Sequence, residues 1–166
     1  MSLAKSPTIP HSGGESLVLA DLLPLTAEAV EAADALFARA RAAVGAKVSA
    51  EGRVSAAALE REQFAAHGLA WMATYVEALR QLASYAARMT AEGRFGELEA
   101  LMVQAAFGEY LPQLAGGVPM SQGEIVRPRD LGLSREDERA FLAAGVTRLI
   151  DAGNTAPVRA RLAALI

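Results

Sequence analysis

The segment of residues 118–133 holds the polar side chains of this sequence that are best placed to bind a ligand or a partner. Its run VPMSQGEIVRPRDLGL contains three turn-forming residues and no sustained hydrophobic period, which predicts a structured loop. Loops that prolines hold rigid are a common setting for binding sites. Five residues are therefore candidate contacts: Ser121, Gln122, Glu124, Arg127 and Arg129.

Two roles are open to the arginines of this loop. Guanidinium groups form forked hydrogen bonds with carboxylates and phosphates, so Arg127 and Arg129 could bind an anionic ligand or partner. They could equally pair with Asp130 and Glu124 and fasten the loop to the rest of the fold. The sequence leaves both roles open.

Residue types that serve catalysis are scarce. The chain has two histidines and no cysteine, and neither His11 nor His67 stands at the spacing of a zinc or di-iron motif. Gly116 and Gly117 follow a helical segment instead of preceding one, so they do not form a phosphate-binding loop. We therefore predict no catalytic, cofactor-binding or metal-binding residue, and we expect Glu109 to form an ion pair or to face solvent.

The composition favours a helical protein and opposes several kinds of partner. Of the 166 residues, 52% are hydrophobic and only 5% are aromatic, and alanine, leucine, arginine and glutamate are frequent. A net charge of -3 and a pI of about 5.4 oppose binding to nucleic acid, and no apolar stretch is long enough to span a membrane. Because it lacks cysteine, the chain suits a reducing compartment, and we expect it in the cytoplasm.

Hydrophobic residues recur every three or four positions in five segments, which predicts helices. These segments are residues 27–44, 56–91, 98–116, 135–151 and 156–166. Thr26, Ser55, Ser134 and Thr155 are the expected N-caps, and a kink or a short break is allowed at Gly68 in the long second segment. The sequence thus predicts an all-α fold, an antiparallel bundle of about five or six helices with a long central helix.

The two ends of the sequence differ from the rest. Residues 1–20 are predicted to be a disordered leader, because they contain too little apolar surface to offset the cost of ordering them. Residues 21–166 are predicted to form one helical domain. The last helix stops in mid-pattern at Leu165 and Ile166 with no capping residue, so we expect the chain to be one part of a longer polypeptide.

The block of residues 66–133 resembles a known family. Its strings GEYLPQLAGG and PMSQGEIVRP are similar to the helical region that precedes the catalytic core of long bacterial acyl-CoA dehydrogenases. A weaker likeness extends from about residue 21 to the end. The resemblance implies a cytoplasmic, homo-oligomeric flavoprotein that uses FAD to oxidise the Cα–Cβ bond of an acyl-CoA thioester.

None of that family's catalytic motifs matches this chain, so the resemblance implies a non-catalytic N-terminal accessory domain. FAD would belong to the parent enzyme and not to this chain. Its partner would be the catalytic core of the same polypeptide or a second subunit. One alternative is a free-standing helical protein–protein interaction module, and another is a membrane-surface amphipathic protein, which the acidic balance opposes.

Overall fold

A computed structural model describes residues 16–166 of the chain. The helices within these residues are α1 (Leu22–Val48), α2 (Ala56–Arg61), α3 (Gln63–Ala91), α4 (Glu97–Gly116), α5 (Arg135–Phe141), α6 (Ala144–Ala152) and α7 (Ala156–Leu165). The strands are β1 (Ser49–Ala50), β2 (Arg53–Val54), β3 (Val118–Pro119) and β4 (Ile125–Val126), and a 3₁₀ helix covers Pro128–Leu131. The β1–β2 and β3–β4 pairs are antiparallel. The prediction of an all-helical bundle is confirmed.

Two segments predicted as single helices are each broken in two, which is why this part of the chain has seven α-helices. The long central segment breaks at Glu62, whose φ of -104° and ψ of 22° depart from helical values, so α3 alone is the central helix. The segment that follows Ser134 breaks between α5 and α6, where Ala143 is extended with a ψ of 166°.

The helices bury one continuous apolar core. α1 packs along α3, and α4 and α6 pack against this pair. The largest fully buried side chains include Leu36, Met72, Leu79, Phe107, Leu111 and Leu149. On α3 the predicted apolar face is largely correct, because Met72, Leu79 and Ala86 are buried while Leu82 is only half-buried.

The predicted caps of α2, α5 and α7 are confirmed. The Ser55 hydroxyl accepts a hydrogen bond from the Ala58 backbone N–H at 3.3 Å. The Ser134 hydroxyl accepts a hydrogen bond from the Asp137 backbone N–H at 3.1 Å, and the Asp137 carboxylate accepts one from the Ser134 backbone N–H at 2.9 Å. This reciprocal pair is a capping box, which satisfies two helix-end donors at once. The Thr155 hydroxyl accepts from the Val158 N–H at 3.4 Å.

The predicted cap of α1 is wrong. This helix begins at Leu22, five residues before the expected start, and includes Pro24 in its first turn, where the missing N–H has no helical partner to lose. Thr26 is buried inside the helix, and its hydroxyl donates to the Leu23 carbonyl at 2.9 Å.

The predicted leader is only partly covered, since its residues 1–15 lie outside the described residues. Residues 17–19 do not fit the prediction, because buried Gln104 of α4 holds them to the bundle. Its side-chain N–H donates to the Leu17 carbonyl at 3.0 Å, and its side-chain oxygen accepts from the Leu19 N–H at 2.8 Å. A buried amide needs such partners, and the chain before α1 supplies them.

Candidate functional site

The β3–β4 hairpin carries the first half of the candidate loop and lies on α3. Val118 pairs with Val126, and Pro119 pairs with Ile125. Val126 is buried against Gly68, where an added Cβ would lie 2.8 Å from the Cβ of Val126. The short break allowed at Gly68 is absent, since α3 is continuous there, and the glycine lets the hairpin approach the helix.

The 3₁₀ helix carries the second half of the loop. Pro128 and Leu131 are buried, which anchors this turn in the bundle. The Asp130 carboxylate accepts a hydrogen bond from the Arg127 backbone N–H at 2.8 Å, and Lys47 of α1 donates to the Asp130 carbonyl at 3.2 Å. The turn is thus fixed by buried apolar groups and by hydrogen bonds between side chains and the backbone.

The five candidate residues are all exposed, but the structure divides them between two places. Ser121, Gln122 and Glu124 lie at the tip of the hairpin, where the Ser121 hydroxyl donates to the Glu124 carboxylate at 3.4 Å. Arg127 and Arg129 flank Pro128 at the 3₁₀ helix. Among residues 16–166, Arg127 has no carboxylate within 4.0 Å, and Arg129 has only Asp130, at 3.8 Å. These side chains therefore do not tie the loop to another element.

Glu124 borders an apolar concavity that we call the α3 groove. It has a volume of about 470 Å³ and is lined by Leu59, Gln63, Phe64, Ala66, His67, Met120 and Glu124. Leu59 and Phe64 are 41% and 44% exposed, so both present apolar surface to this concavity. His67 accepts a hydrogen bond from the Trp71 indole N–H at 3.0 Å. The groove is thus an apolar surface with a polar edge.

Arg127 and Arg129 border a second concavity, which we call the arginine groove. Its volume is about 230 Å³, and it is lined by Ala115, Gly116, Arg127, Pro128, Arg129, Leu133, Arg135 and Glu138. Arg135 is not among the candidate residues of the loop because it begins the next helix. The signal that could have found it is the Ser134 cap, which places the first turn of α5 directly after the loop.

Glu109 and Tyr75 form hydrogen bonds with neighbouring side chains of the bundle. Glu109 is exposed, as expected, and its carboxylate accepts hydrogen bonds from Asn154 at 2.8 Å and from Gln113 at 2.9 Å. Desolvation, with smaller contributions from Tyr110 and Glu109, raises the pKa of Tyr75, whose hydroxyl donates to Gln113 at 2.8 Å. Over the described residues, no three His, Asp or Glu side chains gather as a metal site would require.

None of the helices found between residues 16 and 166 combines the length and the apolar character needed to cross a membrane.

Comparison with known proteins supplies the final evidence. No protein-family model matches the chain. Over 149 residues it is 53% identical to a (2S)-methylsuccinyl-CoA dehydrogenase of Cereibacter sphaeroides. The match includes 90% of this chain but only 26% of the relative, so the chain spans about a quarter of that protein's length. The predicted resemblance to a long acyl-CoA dehydrogenase is confirmed by this match.

Proposed function

We propose that this chain is the non-catalytic N-terminal domain of an FAD-dependent acyl-CoA dehydrogenase that oxidises methylsuccinyl-CoA. The proposal rests on one observation, the 53% identity that extends over 90% of the chain. Because the chain spans only 26% of that relative, the remaining polypeptide would supply the catalytic base and the flavin site. The parent enzyme would be cytoplasmic and homo-oligomeric, as the resemblance implies.

The carboxylates with shifted pKa values are suited to stabilising helices. Hydrogen bonds from Gln81 and then Arg80 lower the pKa of Glu77, and a hydrogen bond from Arg161 lowers the pKa of Glu97. A general base works best with a pKa near the operating pH, so a carboxylate in that role has a raised pKa. These shifts have the opposite sign and favour structural roles.

The glycine pair at the end of α4 does not fit a flavin nucleotide. Diphosphates bind where free backbone N–H groups point outward at the start of a helix. Gly117 lies at the other end of α4, and its N–H donates to the Gln113 carbonyl at 2.8 Å. FAD would therefore be held by another part of the enzyme.

We assign the contact with the catalytic core to the α3 groove. Three-quarters of the relative lies outside the matched region, so a large second body would be joined to this domain by the chain itself. A covalent link gives a high effective concentration, and a modest apolar surface then suffices for docking. Full burial of a side chain such as Leu59 or Phe64 contributes about 1.5–3 kcal/mol of free energy. Both side chains are still partly exposed, so docking of the core would gain the part of that energy that their remaining exposed surface represents.

Substitution of Phe64 in the whole enzyme tests this contact. Phe64→Gln should lower the thermal stability of the whole enzyme, while Met102→Gln, which removes a 48% exposed side chain from α4, should leave it unchanged. Equal effects of the two variants would contradict the assignment. A change of oligomeric state with normal stability of each subunit would instead assign the groove to a second subunit.

An activity assay tests the proposed function itself. The whole enzyme should reduce an artificial electron acceptor when it is given methylsuccinyl-CoA. The 166-residue chain, assayed with added FAD, should not. Turnover by the chain alone would overturn the non-catalytic role, and inactivity of the whole enzyme with every acyl-CoA offered would overturn the assignment to a dehydrogenase.

A further inference from the structure

We propose that the arginine groove is a binding site for a phosphate-bearing anion, held by Arg127, Arg129 and Arg135. The three side chains come from two elements, the 3₁₀ helix with its preceding residue and the first position of α5, and they line one concavity of about 230 Å³. Arginine forms forked hydrogen bonds whose geometry matches phosphate oxygens. The small volume suits a phosphate or diphosphate group.

The residues that line this groove carry more positive charge than negative charge. Three guanidinium groups and a single carboxylate, that of Glu138, line it. The local excess of positive charge stands out in a chain whose net charge is -3. Like charges brought together repel, and a bound anion would remove that cost.

The nearest other carboxylates are already engaged. One oxygen of Asp130 accepts the Arg127 backbone N–H at 2.8 Å, and the other lies 3.8 Å from the Arg129 guanidinium. Asp137 accepts from Ser134 and pairs with Arg39 of α1 at 3.2 Å. Within the described residues, Arg135 has no carboxylate within 4.0 Å. By the same criterion Arg80 and Arg161 do have carboxylate partners, at 2.7 Å and 2.6 Å.

The frame that holds these arginines is rigid before any ligand arrives. Pro128, Leu131 and Leu133 are buried between and beside them, and the capping box of α5 fixes the backbone at Ser134. A site that is already ordered loses less conformational entropy when it binds. The guanidinium groups themselves are exposed and accessible to an anion.

Two sources of phosphate fit this chemistry, a free diphosphate and the phosphate groups of coenzyme A. The second source rests on the proposed function, because only an acyl-CoA enzyme would present that molecule to the domain. The first source is independent of it. Failure of the proposed function would therefore leave the binding of inorganic pyrophosphate untouched.

Titration of the 166-residue chain with inorganic pyrophosphate at low salt tests the proposal. We expect saturable binding that Arg127→Gln with Arg135→Gln weakens by about tenfold or more, and that roughly 200 mM NaCl also weakens. Arg88→Gln is the matched control, since Arg88 is exposed on α3 away from the groove. All three substitutions are of exposed side chains, and a thermal melt of each variant verifies folding.

The affinities of the variants for pyrophosphate decide whether the arginine groove binds it. Equal affinity in the double variant and the control, or no binding by the unsubstituted chain, would overturn the proposal. If the double variant fails to fold, Arg135→Gln alone provides the same comparison. A second titration uses coenzyme A with pantetheine as its phosphate-free counterpart. Tighter binding of coenzyme A than of pyrophosphate, lost in the double variant, supports coenzyme A as the source, and binding no tighter than pyrophosphate supports the free diphosphate.

Discussion

Replacing Gly68 with alanine tests how the β3–β4 hairpin is seated on α3. The new Cβ would lie 2.8 Å from the Cβ of Val126 and 3.0 Å from its Cγ1, whereas carbon atoms in contact sit ~3.5–4.0 Å apart. The Cγ2 of Val126 would lie closer still to the new Cβ, so the hairpin must move by ~1 Å or more, and overpacking of this kind costs ~1–3 kcal/mol. Alanine in a helix interior recovers ~1 kcal/mol. The net destabilisation is then ~0–2 kcal/mol.

Gly45→Ala is the matched control for this substitution. Gly45 also lies inside a long helix, but an added Cβ there meets nothing within 4 Å, so the variant should gain ~0.5–1 kcal/mol. Urea unfolding should thus separate the two variants by ~1–3 kcal/mol. Equal stabilisation by both substitutions would refute the close approach of the hairpin.

A double-mutant cycle makes the same test independent of helix propensity. Val126→Ala removes two buried methyl groups, which costs about 1.6 kcal/mol at ~0.8 kcal/mol for each carbon. In the Gly68→Ala background the loss should be smaller, because removing the methyl groups relieves the clash. Additive free energies, within ~0.5 kcal/mol, would show that the two residues are not in contact.

Three further predictions concern the core, a helix cap and the flavin. Leu79→Ala should lower the stability by ~2–5 kcal/mol, since Leu79 is fully buried, and Leu82→Ala should lower it less, since Leu82 is half-buried. If the melting temperature of Leu79→Ala falls no further than that of the exposed control Arg88→Ala, the assigned face of α3 is contradicted. The hydrogen bonds from Ser134 lower the pKa of Asp137 in the folded protein. The ionised Asp137 carboxylate therefore stabilises the fold at pH values above its pKa in the unfolded chain, and this stabilisation is lost as the pH falls through its pKa in the folded protein. The stability difference between wild type and Asp137→Asn should therefore shrink from about pH 5 towards pH 3, and a difference that is constant over this range would contradict the cap. The purified chain should be colourless after gel filtration, because we expect it to bind no flavin. Stoichiometric FAD retained in the protein peak would contradict this prediction.

The helical fold was predictable from the sequence because helix caps and apolar faces depend only on residues three or four positions apart. The caps of α2, α5 and α7 and the apolar face of α3 depend on neighbours in the chain, and they appear in the structure as expected. The break at Glu62 lacks such a signal. Ala66 still donates to the Glu62 carbonyl, and Glu62 donates to the Ala58 carbonyl, so the distortion is confined to one residue that is neither glycine nor proline.

Contacts between distant parts of the chain were not predictable in the same way. The role of Gly68 depends on Val126, which the hairpin brings to it from another element. Gln104 is a polar residue on an apolar helix face, which was a usable signal of a buried hydrogen bond, but its partners in residues 17–19 could not be named. The candidate loop was correctly located as a structured segment, whereas its division into two grooves depends on where α3 and α5 lie.

The polypeptide that carries this domain in the cell provides the most direct test of the proposed function. An antibody raised against the chain would be used to isolate that polypeptide from the cells that make it, followed by mass determination and an absorption spectrum. We expect a single polypeptide several times longer than this 17.4 kDa chain, yellow with FAD and active on methylsuccinyl-CoA. A colourless polypeptide of 17.4 kDa with no covalently attached catalytic core would contradict it and favour the free-standing interaction module.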